Sequence, residues 1–198
     1  MSHHDPSRKQ EAEMKHGMTI AMVLFLASAS AYAQQTPVRM TFSGNAGAGP
    51  IDLKQPNAST NEENLDGNGT LGSFSFRLIK ASAVAPQPSN TCAGLFFLNT
   101  AGGGIFRFQD GSLMYVSLTG GGDCIDFVHM MATCTLTFKI NGGTGRFKAA
   151  SGVLTLTETA VPVLADASQT PVFFSETGGF TGTISGISSD EDSQDARQ

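Results

Sequence analysis

An all-β domain is the fold this sequence predicts, and three observations predict it. Runs of residues alternate apolar and polar with a period of two, the spacing that sends successive side chains to opposite faces of a strand. Glycine, 23 of the 198 residues, joins proline and Asp-Gly pairs in punctuating those runs. Phenylalanine dominates the aromatics with 14 copies, threonine is abundant and tryptophan is absent, a composition suited to strands and tight turns. About eight antiparallel strands with short connections leave a closed barrel or a two-sheet sandwich. The barrel is preferred because closure removes exposed strand edges.

The elements follow in order. Val38, Met40 and Phe42 share a face against Arg39, Thr41 and Ser43, a first strand. Residues 44–69 are polar and contain Asn61-Glu-Glu-Asn64, which reads as a long surface loop with a brief strand near residues 51–53. Phe74, Phe76 and Leu78 then alternate with Ser73, Ser75 and Arg77. Past the linker Ala85-Pro-Gln-Pro88, residues 95–99 and 105–109 form two runs separated by Gly102-Gly-Gly104. Asp110-Gly111 supplies a hairpin turn into residues 112–119, and Gly120-Gly-Gly122 closes that strand. Residues 128–140 place Met130, Ala132, Cys134, Leu136, Phe138 and Ile140 on one side, and residues 153–158 resume the alternation. Residues 171–176 and 180–187, joined by Gly178-Gly179, complete the set.

The N-terminus carries an address. Residues 1–13 are a polar leader or a mis-assigned start, with Met14 the better initiator. Residues 14–33 combine a charged start, an apolar centre and small residues at Ala31 and Ala33, the pattern of a secretory signal cleaved before Gln34. Residues 34–187 form the β-domain, and the acidic residues 188–198 form a disordered tail. The expected compartment is secreted or periplasmic, with no membrane attachment after cleavage. An oxidising compartment permits a disulfide among Cys92, Cys124 and Cys134, leaving one thiol. Three pairings are open, and Cys92 with Cys124 is preferred because both sit at edges of strand-like runs, close to Gly or Asn. A net charge of −5 with scattered basic residues excludes a nucleic-acid partner.

The stretch Asn141-Gly-Gly-Thr-Gly-Arg-Phe-Lys-Ala-Ala-Ser-Gly152 lies between two period-two runs, where glycines can bend the backbone and Phe147 can plug the bend. Ile140 to Phe147, continued through Ala150 and Gly152, resembles the Gly-Gly-Thr-Gly-x-Phe-x-x-Ala-x-Gly signature of the allene oxide cyclase and dirigent-like barrels. Asp110-Gly-Ser-Leu113 and Gly179-Phe-Thr-Gly-Thr-Ile184 extend that likeness over the C-terminal half of the mature chain. The resemblance implies an eight-stranded barrel with an apolar cavity. Plant members bind lipid-derived or phenolic intermediates and steer cyclisation or coupling. Gly142, Gly143, Gly145, Phe147 and Gly152 carry over as structural turn residues only.

Other patterns carry less. Gly67-Asn-Gly-Thr-Leu-Gly72 satisfies G-x-G-x-x-G, but a strand follows it where a dinucleotide site needs a helix. Cys124, His129, Met130, Met131 and Cys134 are soft donors for copper(I), yet alternation sends Met130 and Met131 to opposite faces. No metal and no cofactor is assigned. Charged residues within strands are Arg77, Arg107, Asp126, Lys139, Glu158 and Glu176. Arg77 and Arg107 oppose phenylalanine faces and should meet solvent. Glu158 is in phase with Leu154 and Leu156, and Glu176 with Phe174, so these two are the candidate catalytic carboxylates on the inner wall. Three functions follow: binding of a small lipophilic molecule in the barrel, a structural or surface-associated domain without ligand, and a cofactor-independent cyclase or isomerase.

Overall fold

A computed structural model describes residues 35–188; the expected signal segment and residues 189–198 of the expected acidic tail lie outside them. Eight strands, β1 (Thr36–Ala48), β2 (Ala58–Gly69), β3 (Phe74–Ala83), β4 (Leu95–Phe108), β5 (Leu113–Asp126), β6 (Met131–Gly143), β7 (Ser151–Ala165) and β8 (Pro171–Ser185), form one closed barrel. Every pairing is antiparallel and follows chain order, and β8 returns to β1 from Thr36↔Ile184 to Gly47↔Phe173. Closure decides between barrel and sandwich, because β1 and β8 find each other instead of remaining edges.

Several expected boundaries move. The polar tract at residues 44–69 is no loop: β1 continues to Ala48, β2 occupies the second half, and residues 51–53 lie in the connection rather than in a strand. Its alternation was hidden because Asn61 and Glu63 point inward in phase with Leu65. The glycine triplets do not divide strands either, since β4 and β5 run straight through them and β8 runs through Gly178-Gly179. At Gly104 a Cβ would stand 2.4 Å from the Phe76 ring, so glycine there makes room for an aromatic rather than a turn. Residues 128–130 form a turn ahead of β6. The Asp126 carboxylate accepts from the backbone N–H of Val128 (2.9 Å) and His129 (3.0 Å), which holds the turn, and Met130 adopts φ 51°.

The β2–β3, β4–β5 and β6–β7 connections share one end of the barrel with the start of β1 and the end of β8. That end is sealed. The Gly-rich stretch ends in a single 3-10 turn, Gly145–Phe147, that drives the fully buried Phe147 against Phe108 at 4.6 Å between ring centroids. Gly142 (φ 87°) and Gly145 (φ 56°) take the left-handed conformations that the bend demands. Arg146 covers the plug, its guanidinium 4.6 Å from the Phe147 ring and 5.0 Å from that of Phe108. Above the plug, Phe76 stacks on Phe106 at 4.1 Å, and Phe180 meets both edge-on at 5.3 and 5.0 Å. With Phe42, Phe74, Phe138, Leu154 and Leu156 they fill the lower half solidly.

Candidate functional site

The other end differs in kind. Beyond the phenylalanine layer the inward positions turn polar: Glu63 on β2, Lys80 and Ser82 on β3, Asn99 on β4, Asp123 on β5, Cys134 on β6, Glu158 on β7 and Glu176 on β8. Glu63, Lys80, Ser82, Asp123, Cys134 and Glu176 form the floor of a cavity of about 430 Å³ that opens between the strand ends, with Asn99 bonded to Asp123 and Glu158 clustered with Glu63 and Glu176. Its walls are largely apolar, with Ala46, Phe97, Ile125, Ala132, Ala160 and Phe174 among them. A trough of about 230 Å³, lined by Phe127, Met130, Met131 and Pro162, shares Ile125, Ala132, Ala160 and Phe174 with the cavity and extends it toward the rim.

Lys80 organises one side of the floor. Its Nζ lies 2.7 Å from Glu63 Oε1 and donates to Asp123 Oδ1 at 3.0 Å. Asn99 Nδ2 donates to Asp123 Oδ2 at 3.2 Å, Ser82 Oγ donates to Asn99 Oδ1 at 2.7 Å, and Asn61 Nδ2 donates to Ser82 Oγ at 3.2 Å. The polar groups of β2 to β5 are therefore knitted into one network. The β7–β8 side is not. Neither oxygen of Glu158 has a hydrogen-bond partner, nor does Oε2 of Glu176, although each residue is only 2% exposed.

Burial and mutual repulsion set the charges. Burial pulls the Lys80 ammonium down, but the carboxylates of Glu63 and Asp123 outweigh it and hold it well above the ordinary lysine range. Burial also acts to raise Asp123; Lys80, the Cys134 thiol and the Asn99 amide together overcome it and keep that carboxylate below its usual range. Burial pushes Glu63 up against the pull of Lys80. It pushes Glu158 up to about 8, with Glu63 adding to the effect, and Glu176 up to about 10, with Glu63 and Glu158 both adding. At neutral pH and without a bound cation the floor thus holds an ammonium–carboxylate pair on one side and two neutral carboxylic acids on the other.

The structure places Glu158 and Glu176 on the inner wall, where their phase put them, and brings both beside Glu63. Arg77 and Arg107 face solvent, Arg77 pairing with Glu62 at 2.8 Å, and Lys139 is exposed. Cys92 and Cys124 form the disulfide, which ties the β3–β4 connection to β5 at the open end. Cys134 remains a buried thiol held well above its ordinary pKa by burial, unsuited to act as a nucleophile. The soft-donor cluster does not assemble, because Cys124 is oxidised and His129 projects at the rim, 2.6 Å from Asp126 Oδ2.

Glu63, Lys80 and Asp123 escaped the sequence reading for different reasons. Lys80 keeps phase with Phe74, Phe76 and Leu78, so the rule that found Glu158 finds it too once β3 is carried to Ala83. Glu63 keeps phase with Leu65, but only if its tract is recognised as a strand. Asp123 lies beyond a register shift between Leu118 and Gly120, which inverts the inward parity of β5. Comparisons with family models, with curated proteins and with solved structures return no match.

Proposed function

We propose that this chain is a secreted or periplasmic barrel that binds one small lipophilic molecule in the cavity at its open end. The observation that carries the reading is the division of the interior into a solid phenylalanine half and a cavity of about 430 Å³, with apolar walls and a charged floor. That volume falls within the roughly 300–1,000 Å³ common to small-ligand sites. The walls suit an apolar body. The floor suits one polar end, which reaches Lys80 and its carboxylates. Such a cavity weighs against a purely structural domain. The secretory signal pattern, the disulfide and the likeness to allene oxide cyclase and dirigent-like barrels all support the reading.

Titration of the protein with a fluorescent naphthalene probe, followed by displacement with C8 to C12 alcohols, tests it. Saturable one-to-one binding is expected. Ala132→Phe and Ala160→Phe add rings to the cavity wall and should weaken probe binding at least tenfold while the β-sheet circular dichroism persists. Absence of saturable binding, or unchanged binding in both folded variants, overturns the reading.

A further inference from the structure

Three buried glutamates from three strands converge on one point. Glu63, Glu158 and Glu176 each offer a carboxylate oxygen, and the three oxygens lie within 4.8 Å of one another. The residues are 0, 2 and 2% exposed. Oε2 of Glu63, both oxygens of Glu158 and Oε2 of Glu176 lack a hydrogen-bond donor, and each exposes less than 1 Å². Solvent does not reach these oxygens. Lys80 does not complete the set, because it spans Asp123 and Glu63 Oε1 and leaves Glu63 Oε2 free. Four carboxyl groups thus share a single ammonium. A small cation carrying more than one charge would offset that excess.

We propose that Glu63, Glu158 and Glu176 form a binding site for one divalent metal ion of the oxygen-seeking class, calcium or manganese(II). The spread of the oxygens matches the class: metal–oxygen bonds of about 2.3–2.6 Å put ligands on opposite sides of calcium up to roughly 5 Å apart. Each carboxylate supplies one of these oxygens, three protein donors in all. Magnesium fits less well, because it keeps several waters and solvent does not reach these oxygens. Zinc and copper favour imidazole or thiolate, whereas the three converging groups are all carboxylates and His129 sits at the rim. Glu63 and Glu176 line the cavity, which supplies the entry path. A bound ion would brace β2 against β7 and β8 across the barrel just below its mouth. The site stands on the carboxylates alone and holds whether or not an organic ligand occupies the cavity above.

The test uses the protein stripped with a chelator and titrated with manganese(II), bound metal being read by electron paramagnetic resonance. One ion per chain is expected, displaced by calcium and not by equimolar magnesium, with a rise in Tm that chelator reverses. The Glu158→Gln/Glu176→Gln double variant should lose at least tenfold in affinity, while Asp126→Asn at the rim leaves it unchanged. If the double variant does not fold, anomalous diffraction from manganese-soaked wild-type crystals decides, and a peak among the three carboxylates is expected. No binding of either ion at millimolar concentration, an anomalous peak elsewhere alone, or unchanged affinity in a folded double variant overturns the proposal.

Discussion

Replacing Glu176 by glutamine tests the electrostatics of the floor through folding stability. In the unfolded chain this carboxyl titrates near 4.5, whereas in the barrel burial and the neighbouring Glu63 and Glu158 push it up to about 10. The folded state therefore holds the proton more tightly. A carboxyl raised in this way contributes its full stability below the unfolded pKa and loses it as pH climbs toward the folded one. The slope is about 1.4 kcal/mol per pH unit for one group, so the wild-type protein should lose about 3 kcal/mol between pH 5 and pH 7 through Glu176. Glutamine keeps the shape and has nothing to ionise. The difference in unfolding free energy between Glu176→Gln and wild type should thus be small near pH 5 and favour the variant by about 3 kcal/mol at pH 7. Urea unfolding followed by far-ultraviolet circular dichroism in the presence of EDTA measures it, with chelator present so that no metal competes with the proton. A difference that stays constant over pH 5–7, or that moves against the variant as pH rises, refutes the assignment of Glu176 as a neutral acid.

Two further outcomes follow from the same interior and its rim. Lys80→Met removes the only ammonium from the floor and leaves Asp123 ionised and unpaired, which should cost about 3–5 kcal/mol near pH 7 and less in acid, where Asp123 takes up a proton; a loss below 1 kcal/mol at pH 7 in urea unfolding contradicts the ion pair. Opening the Cys92–Cys124 bridge, which spans 32 residues of sequence, with a Cys92→Ser/Cys124→Ser pair should lower stability by about 3–4 kcal/mol, checked by urea midpoints under non-reducing conditions.

The barrel was legible because the lower half obeys one rule. Val38, Met40, Phe42, Phe74, Phe76, Leu136 and Phe138 are all buried at alternate positions, and a period of two is the strongest signal a strand gives. Glu158 and Glu176 were legible for the same reason, as charges standing in an apolar phase. The upper half breaks the rule. There the inward side is itself polar, so Asn61 and Glu63 look like loop residues although they occupy a regular strand. Glycine misled in the opposite sense, since Gly102 to Gly104 suggest a turn and in fact lie in β4 beneath bulky neighbours. The charged floor as a whole was illegible. It joins β2, β3, β5, β7 and β8, and only three-dimensional register sets residues so distant in sequence side by side.

The seam between β1 and β8 has a consequence for how the chain reaches this state. Every other pairing forms between consecutive segments and can zip up locally as a hairpin. β1, by contrast, must wait for Pro171–Ser185, more than a hundred residues later. Until that last strand docks, β1 and β7 both present unpaired backbone amides and carbonyls, and the phenylalanine layer is open along one side. During that interval the chain is an aggregation-prone open sheet. Trapping it there, with a synthetic peptide of residues 171–185 offered as a substitute eighth strand, would turn the barrel into a two-piece assembly whose closure can be switched from outside.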